Sequence, residues 1–161
     1  MEAGILEQDD NKTAFLETLL LIERLHRRFL DVLKTELDRL GRDDINNVQS
    51  LILYNIGDGE ITVGELTNRG YYLGSNVSYN VKKLVENTYL AQERSPYDRR
   101  SVRIRLTDKG QALRQEINDL FERQVEEIFG ANVLSPETAA SVNDSLRILE
   151  RFWSEQIRFR A

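Results

Sequence analysis

The stretch QERSPYDRRSVRIRLTDKG, residues 92–110, carries six Lys and Arg residues in nineteen positions. Within it, SVRIRLT (residues 101–107) alternates apolar and polar side chains, and so does the preceding YLAQERS (residues 89–95). Such alternation is typical of half-buried strands, and PYDR (residues 96–99) between them supplies the residues of a turn. The pattern predicts a β-hairpin with a basic tip.

Two helices are predicted immediately before this hairpin. In TVGELTNRG (residues 62–70), Thr62 and Glu65 stand three residues apart, which predicts a capping box and a short helix that ends at Gly70. In LGSNVSYNVKKLVENT (residues 73–88), apolar residues fall on one side at helical spacing: Leu73, Val77, Val81, Leu84 and Val85.

A mostly apolar helix comes before this pair. INNVQSLILYNIG (residues 45–57) reads as a helix that Asp43 or Asp44 could cap and that Gly57 ends. Helix, short helix, helix and then hairpin is the order of a winged helix-turn-helix. In such a unit the second helix of the pair enters the major groove of DNA, and the hairpin, or wing, reaches the flanking backbone.

Long helices flank the winged unit. Residues 13–40 place apolar side chains close to helical spacing, which predicts a long amphipathic helix. Thr107 can cap a further helix that runs to about Phe129, and a last helix occupies residues 135–160 with Ser135 as its cap. The predicted fold class is therefore mainly α with a small β-hairpin wing, an α+β arrangement.

Three regions follow from this order: an N-terminal part of a dimerisation region (residues 1–43), the winged DNA-binding domain (residues 44–110) and the C-terminal dimerisation helices (residues 111–161). The flanking helices bear more apolar surface than one small domain can cover, which predicts a homodimer. A two-fold pair of winged domains predicts a pseudo-palindromic operator whose half-site centres lie about 10 bp apart or a multiple of that.

The charge distribution favours DNA as the partner. The whole chain has a net charge of −5, but residues 62–110 contain nine Lys and Arg against five Asp and Glu, a local charge of +4. A basic segment between acidic arms is the electrostatic pattern expected of a specific DNA-binding protein.

Candidate DNA-contacting residues lie on the recognition helix and on the wing. The candidates on the helix are Ser75, Asn76, Ser78, Tyr79, Lys82 and Lys83, and those on the wing are Asp98, Arg99, Arg100 and Arg103. Arg99 and Arg100 would sit over phosphates or enter a narrow A·T-rich minor groove, while Asp98 would hold an arginine side chain in a fixed direction. Arg103 and Arg105 share one strand face, where each either touches the DNA backbone or is simply exposed.

Several other functions are excluded or disfavoured. The chain has no cysteine and only one histidine, so disulfides and Cys- or His-rich metal sites are ruled out, and we expect no cofactor. We find no catalytic residue set or phosphate-cradling glycine loop, which argues against an enzyme. The lack of an export signal and of an apolar run near the roughly 18 residues of a membrane-spanning helix predicts a soluble, cytoplasmic chain without a membrane partner.

The wing sequence SPYDRRSVRIRLTDKG resembles that of the MarR family of bacterial winged-helix regulators, whose recurrent pattern is Asp-x-Arg-Ser, an alternating strand and Leu-Thr-x-x-Gly. The matching residues are Asp98, Arg100, Ser101, Leu106, Thr107 and Gly110. The stretch RGYYLGSNVSYNVKKLVE further resembles the alphaproteobacterial branch that regulates L,D-transpeptidases, enzymes of cell-wall cross-linking. Two departures are Leu73 and Gly74 at the start of the recognition helix and Thr88 where the family commonly has glycine.

The resemblance implies a dimeric transcriptional regulator, most simply a repressor, possessing a pocket for a small aromatic or phenolic effector between the dimerisation helices and the winged domain. Candidate pocket residues are His26, Phe29 and Tyr54, although a surface position explains His26 equally well. Tyr71 and Tyr72 either flank DNA or pack between helices, and Phe152 and Trp153 suit a dimer interface better than a ligand cage.

Two other classes of protein stay open at this point. A winged helix can serve as a protein-interaction module, which predicts no salt-dependent binding to any promoter. It can also serve as a non-specific architectural DNA-binding protein, which predicts equal affinity for all sequences. The local charge of +4 argues against the first alternative and the acidic remainder of the chain argues against the second.

Overall fold

The computed structural model of this chain describes residues 2–69, 74–98 and 100–160. The elements, in chain order, are α1 (Glu2–Arg39), α2 (Asn47–Ile56), β1 (Ile61–Thr62), α3 (Val63–Asn68), α4 (Gly74–Glu86), β2 (Leu90–Arg94), β3 (Val102–Leu106), α5 (Asp108–Gly130) and α6 (Pro136–Arg160). The mainly α fold with a small antiparallel wing is confirmed. Two compact units are present, one ending at Ile117 and one beginning at Asn118, and the three predicted functional regions stay a prediction.

Helix α1 begins earlier than predicted, at Glu2 rather than at residue 13. The first eleven residues of α1 contain Ala, Leu, Glu, Gln and Lys and no proline, so the backbone can remain helical there. The prediction missed this N-terminal part of α1 because it was based on apolar spacing. Apolar spacing indicates which face of a helix is buried, not how long the helix is.

The N-terminal cap of α2 is Asn46, and the prediction of Asp43 or Asp44 was wrong. The side-chain oxygen of Asn46 accepts from the backbone N–H of Gln49 at 2.8 Å, and Gln49 Oε1 accepts from the backbone N–H of Asn46 at 3.1 Å. Asp44 is unavailable as a cap because its carboxylate accepts from the Tyr89 hydroxyl and from Lys109 Nζ. The capping box predicted for Thr62 and Glu65 is confirmed, with both hydrogen bonds at 3.0 Å.

The wing hairpin, β2 and β3, belongs to a three-stranded antiparallel sheet in the order β1-β3-β2. In the predicted hairpin, Leu90 lies opposite Leu106 and Arg94 lies opposite Val102. The additional strand, β1, pairs its two residues with β3. A two-residue strand is too short to show an alternating pattern, which is why the sequence did not predict it.

One apolar core fixes α4 and the wing relative to the helices around them. Leu53 of α2, Leu66 of α3, Val77 and Leu84 of α4, and Ile104 of β3 are all fully buried. Each such side chain contributes about 1.5–3 kcal/mol to the free energy of unfolding through loss of contact with water. Helix α4 is thus held along its inner face.

The residue that joins α4 to β2 has an uncommon backbone conformation. Thr88 has a φ angle of 64°, in the left-handed region, and its carbonyl accepts from the Thr107 hydroxyl at 2.6 Å. This is the position where the MarR family commonly has glycine, so a β-branched residue here carries strain of about 1–2 kcal/mol. The fold accommodates the departure without losing the turn.

Helix α5 starts in close contact with the wing. Thr107 Oγ1 accepts from the backbone N–H of Gly110 at 3.2 Å, which confirms Thr107 as the cap. A Cβ atom placed on Gly110 would overlap the backbone carbonyl oxygen of Tyr89. Only glycine therefore lets the first turn of α5 approach the start of β2 this closely.

Helix α6 begins as predicted, because Ser135 Oγ accepts from the backbone N–H of Thr138 at 3.1 Å. No residue of α6 is buried in the single chain. Its exposed apolar side chains are Val142, Leu146, Ile148, Phe152, Trp153, Ile157 and Phe159.

Candidate nucleic-acid interface

Helix α4, the predicted recognition helix, has one buried face and one polar face. Val77, Val81 and Leu84 are buried, whereas Asn76, Ser78, Tyr79 and Lys82 are exposed. Tyr79 is 59% exposed although it is a large aromatic residue. The polar face of α4 therefore carries four of the residues named from the sequence, and their contact with base edges stays a prediction.

The two lysines of α4 differ in their surroundings. Lys83 Nζ contacts Glu86 Oε2 at 3.0 Å and lies 6.0 Å from the centre of the Tyr79 ring. Hydrogen bonding and charge attraction from Glu86 raise the pKa of Lys83. Lys82, in contrast, lines a groove between α4 and the wing. Of the two, Lys82 is the one that faces the wing.

This groove has a volume of about 470 Å³ and is formed by the start of α3, the polar face of α4 and the wing. Its polar side chains include Ser78 and Lys82 from α4 and Asp98, Arg100 and Ser101 from the wing. Two cations and two hydroxyl groups at one concave surface can hold the phosphate oxygens of a DNA backbone. The structure thus brings together predicted residues from both basic elements.

The wing turn is fixed by its own hydrogen bonds. Asp98 Oδ1 accepts from the backbone N–H of Arg100 at 3.0 Å, and the carbonyl of Asp98 accepts from the backbone N–H of Ser101 at 3.0 Å. The Asp98 carboxylate therefore orients the backbone of the turn, whereas the prediction had it orient a guanidinium group. Arg100 is exposed at the edge of the groove.

Arg103 is separated from the other predicted wing residues. It lies on the face of β3 opposite Ile104, which is buried, and Arg103 Nη1 lies 3.6 Å from Glu60 Oε2. Its cross-strand neighbour on β2 is Glu93. Two carboxylates next to Arg103 reduce the charge that it can offer to DNA, and Arg105 is exposed on the same face.

Some predicted residues lie outside the part of the chain that the structure describes. These are Arg99 on the wing, the side chain of Ser75 on α4, and Gly70, Tyr71, Tyr72 and Leu73 before α4. Their predicted roles stay predictions.

The candidate effector residues are spread over α1 and α2. His26 is exposed, and Phe29 and Tyr54 are half-buried. The guanidinium carbon of Arg114 lies 5.6 Å from the centre of the Tyr54 ring, and Arg114 Nη1 contacts Asp58 at 2.7 Å. Tyr54 thus packs against a cation that is itself paired, and the effector pocket stays a prediction.

A charged cluster that the sequence did not reveal connects the segment before α2, the segment between α4 and β2, and the start of α5. The Asp44 carboxylate accepts from the Tyr89 hydroxyl and from Lys109 Nζ, both at 2.6 Å. Lys109 also lies 4.2 Å from the centre of the Tyr89 ring, and Asn87 Nδ2 donates to the Asp44 carbonyl at 2.8 Å. The sequence did not reveal this cluster because its residues are far apart along the chain.

The ionisation of this cluster follows from its contacts. Burial and the hydrogen bond to Asp44 raise the pKa of Tyr89 to about 12, so its hydroxyl remains a donor at neutral pH. Partial burial opposes ionisation of Asp44, but the hydrogen bonds from Lys109 and Tyr89 outweigh it and lower the pKa of the Asp44 carboxyl. The carboxylate is therefore ionised when it holds the cluster together.

Across residues 2–69, 74–98 and 100–160, no group of three or more His, Cys, Asp or Glu side chains is arranged to bind a metal ion. Within the same ranges, no helix combines the length and the apolar character needed to cross a bilayer.

Sequence comparisons identify the same winged-helix region. A family model described as a winged helix DNA-binding domain matches residues 45–110. ExpG of Rhizobium meliloti, a transcriptional activator of exopolysaccharide II synthesis, is 44% identical over 105 residues, which are 65% of this chain and 54% of ExpG. The chain spans about half the length of the curated relatives it matches.

Comparison with solved structures shows the same fold. FabT of Streptococcus pneumoniae, solved in complex with DNA, superposes with a TM-score of 0.71 at 20% identity, covering 88% of this chain and 99% of FabT. BpsR of Bordetella bronchiseptica, whose DNA binding is regulated by 6-hydroxynicotinic acid, gives a TM-score of 0.67 at 21% identity and covers 83% and 98% of the two chains. The winged-helix fold is confirmed, and it is similar to that of MarR-family regulators of known structure.

Proposed function

We propose that this chain, which contains a winged helix DNA-binding domain in a MarR-like fold, is a dimeric MarR-family regulator that binds a pseudo-palindromic operator in the cytoplasm. One observation carries the proposal: Lys82 and Ser78 of α4 and Arg100 of the wing line the same groove of about 470 Å³. Base-reading and phosphate-binding residues are then available at one surface.

The dimer is supported by the apolar surface of the long helices. The described part of α1 exposes Phe15, Leu16, Leu20, Leu21 and Leu25, and α6 exposes a larger apolar set that includes Trp153 and Ile157. Contiguous exposed apolar residues on a helix mark an interaction site. A second copy of this chain would cover them and present two recognition helices.

Selection of genomic DNA fragments by the purified chain tests the proposal. We expect enrichment of fragments with an inverted repeat, whose half-site centres lie about 10 bp or a multiple of it apart. Binding to an enriched duplex should exceed binding to unrelated DNA at least about a thousandfold at physiological salt. Equal binding to all fragments would support an architectural protein instead. Salt-independent or absent DNA binding would support a protein-interaction module.

The direction of regulation has two candidate answers. The MarR resemblance favours a repressor, with L,D-transpeptidase or stress genes as targets. The 44% identity with ExpG favours activation, because ExpG activates exopolysaccharide II synthesis. Transcription in vitro from a promoter that carries the selected operator separates the two, since added protein lowers transcript yield in the first case and raises it in the second.

Effector control rests on the family resemblance and on BpsR, whose DNA binding an aromatic acid regulates. A small molecule can release DNA only through its higher affinity for the state that binds DNA poorly. We therefore expect an aromatic or phenolic effector both to shift the thermal midpoint and to weaken operator binding. A panel of such acids that changes neither quantity would argue against this part of the proposal.

A further inference from the structure

Two buried polar side chains meet inside the winged domain, between α2 and the recognition helix. Gln49 and Asn80 are only 7% and 8% exposed, although their neighbours in the core are apolar. Gln49 Nε2 donates to Asn80 Oδ1 at 3.2 Å. Buried amides are costly unless they are paired, so this contact fixes both side chains.

The amide oxygen of Gln49 also has a hydrogen-bond partner. Gln49 Oε1 accepts from the backbone N–H of Asn46, where it forms half of the capping box of α2. The rotation of the Gln49 side chain is therefore set by the start of α2, and its amino group has one direction in which to donate.

Asn80 continues the chain of hydrogen bonds into the recognition helix. Its Nδ2 donates to the backbone carbonyl of Asn76 at 2.8 Å, one turn earlier in α4. Asn76 and Tyr79 are exposed on the polar face of α4, within the same turn as this hydrogen bond. The sequence of contacts is thus Asn46, Gln49, Asn80 and Asn76, and we call it the amide relay.

The amide relay supplies what apolar packing lacks. Burial of Val77, Val81 and Leu84 holds α4 in place, but apolar contacts are non-directional and leave small rotations of the helix nearly equal in energy. A hydrogen bond between buried amides is directional and is lost on rotation. A turn of α4 by a few tens of degrees would redirect every side chain that faces a base.

We propose that Gln49 and Asn80 are positioning residues, which fix the rotation of α4 and thereby set how sharply the chain distinguishes its DNA site, without contacting DNA. This proposal rests on the DNA-binding function proposed above. It assigns specificity to residues that are buried behind the recognition helix.

The test compares Gln49→Leu, Asn80→Leu and the double variant. Each single variant leaves a buried amide unpaired and should melt at a lower temperature, whereas the double variant should regain the part of the loss that comes from the unpaired amide but not the part that comes from the α2 cap. Affinity is measured for a duplex that the wild-type chain selects from a random-sequence pool and for an unrelated duplex of equal length.

We expect the ratio of the two affinities to fall about tenfold in the single variants and to stay low in the double variant, because base contacts are misaligned in all three. Binding to the unrelated duplex and its salt dependence should not change, since Lys82 and Arg100 remain. Gln49→Met, which keeps the side-chain length, should give the same loss of discrimination.

Ser50→Ala is the matched control. Ser50 is fully buried in α2, and its hydroxyl donates to the carbonyl of Asn47 at 2.7 Å, within the same helix. Its loss should lower stability and leave the affinity ratio as in the wild type.

A wild-type affinity ratio in the double variant or in Gln49→Met would overturn the proposal. So would an equal fall of the ratio in Ser50→Ala, because the effect would then follow from stability alone. A wild-type chain that selects no sequence from the pool would contradict the DNA-binding function itself, and with it this proposal.

Discussion

Arg100 is the wing residue for which we predict a DNA contact and which lines the groove together with Lys82. It is exposed at the edge of the groove, and the backbone hydrogen bond to Asp98 fixes the turn that carries it. We expect Arg100→Ala to weaken binding to operator and unrelated DNA alike and to reduce the slope of log affinity against log salt by about 0.9 for each lost phosphate contact. Fluorescence anisotropy at several salt concentrations measures both effects.

Arg103→Ala provides the comparison for this change. Arg103 has the same charge, but it lies beside Glu60 and Glu93 on the outer face of the sheet. We expect its loss to change affinity and slope much less than the loss of Arg100. If the two variants weaken binding equally, net charge and not the groove accounts for the wing's contribution.

Asp44 gives a prediction about stability. We expect Asp44→Asn to lower the free energy of unfolding at neutral pH by about 1 kcal/mol, because hydrogen bonds to a charged group are lost at a site that solvent partly screens. The pKa of Asp44 is lower in the folded than in the unfolded chain, so this stabilisation is present above the unfolded pKa of about 4 and is lost as pH falls through the folded pKa.

Urea unfolding of the wild type and Asp44→Asn between neutral and acidic pH tests the sign. The difference between the two proteins should shrink as the pH falls. Asp58→Asn, which removes an exposed partner of Arg114, should change stability by less than about 1 kcal/mol. A difference that grows toward acidic pH would show that Asp44 is not held as an ionised acceptor.

At the scale of single residues, the sequence revealed contacts between near neighbours and missed those between distant ones. The Thr62 and Glu65 cap was predictable because both partners stand within one turn. The pairing of Asp44 with Tyr89 and Lys109 joins residues that are 45 and 65 positions apart, and only the folded chain brings them together. Asp44 was therefore mistaken for a helix cap.

At the scale of elements, the polar face of α4 leads to a prediction about sequence preference. Tyr79 lies near the middle of its polar face and is 59% exposed. We expect Tyr79→Ala to reduce the preference for operator over unrelated DNA by about 1–3 kcal/mol, the usual loss when a good base contact is removed. Competition binding with both duplexes gives this value.

Tyr79→Phe then separates the ring from its hydroxyl group. An intermediate loss would assign a hydrogen bond to the hydroxyl, and wild-type preference would assign the contact to the ring. If Tyr79→Ala keeps the full preference while circular dichroism shows a folded protein, a different part of α4 reads the bases.

The elements themselves were predictable where a periodic pattern reports a buried face. The recognition helix and the wing hairpin bury alternate or every third or fourth residue in one core, so their apolar spacing was visible in the sequence. The start of α1 and the two-residue strand β1 bury too little to leave such a pattern. The amide relay was invisible for another reason, since polar residues at Gln49 and Asn80 look like solvent-facing positions.

At the scale of the whole molecule, substitutions on the exposed apolar surface of α6 test the proposed dimer. Trp153 and Ile157 are exposed and one turn apart on the same helix. We expect Trp153→Asp and Ile157→Asp each to raise the dimer dissociation constant by at least about thirtyfold, since a charge at the centre of an apolar interface costs at least about 2 kcal/mol. Sedimentation velocity over a concentration series measures the constant.

Ser154→Asp serves as the control on the same helix. Ser154 points its hydroxyl to the Glu150 carbonyl and lies beside Trp153 in sequence but on a different side of the helix. It should leave the dimer intact. A wild-type chain that sediments as a monomer at micromolar concentration would remove the basis for the palindromic operator.

The contact at Gly110 has a consequence for how genes of this kind can vary. Every amino acid that a single base change can substitute for glycine brings a Cβ atom, and at this position any Cβ meets the Tyr89 carbonyl oxygen. At Gly130 an added Cβ atom would meet nothing within 4 Å, so other amino acids fit at that position. Random mutagenesis followed by selection for function should thus return glycine alone at codon 110 and many residues at codon 130.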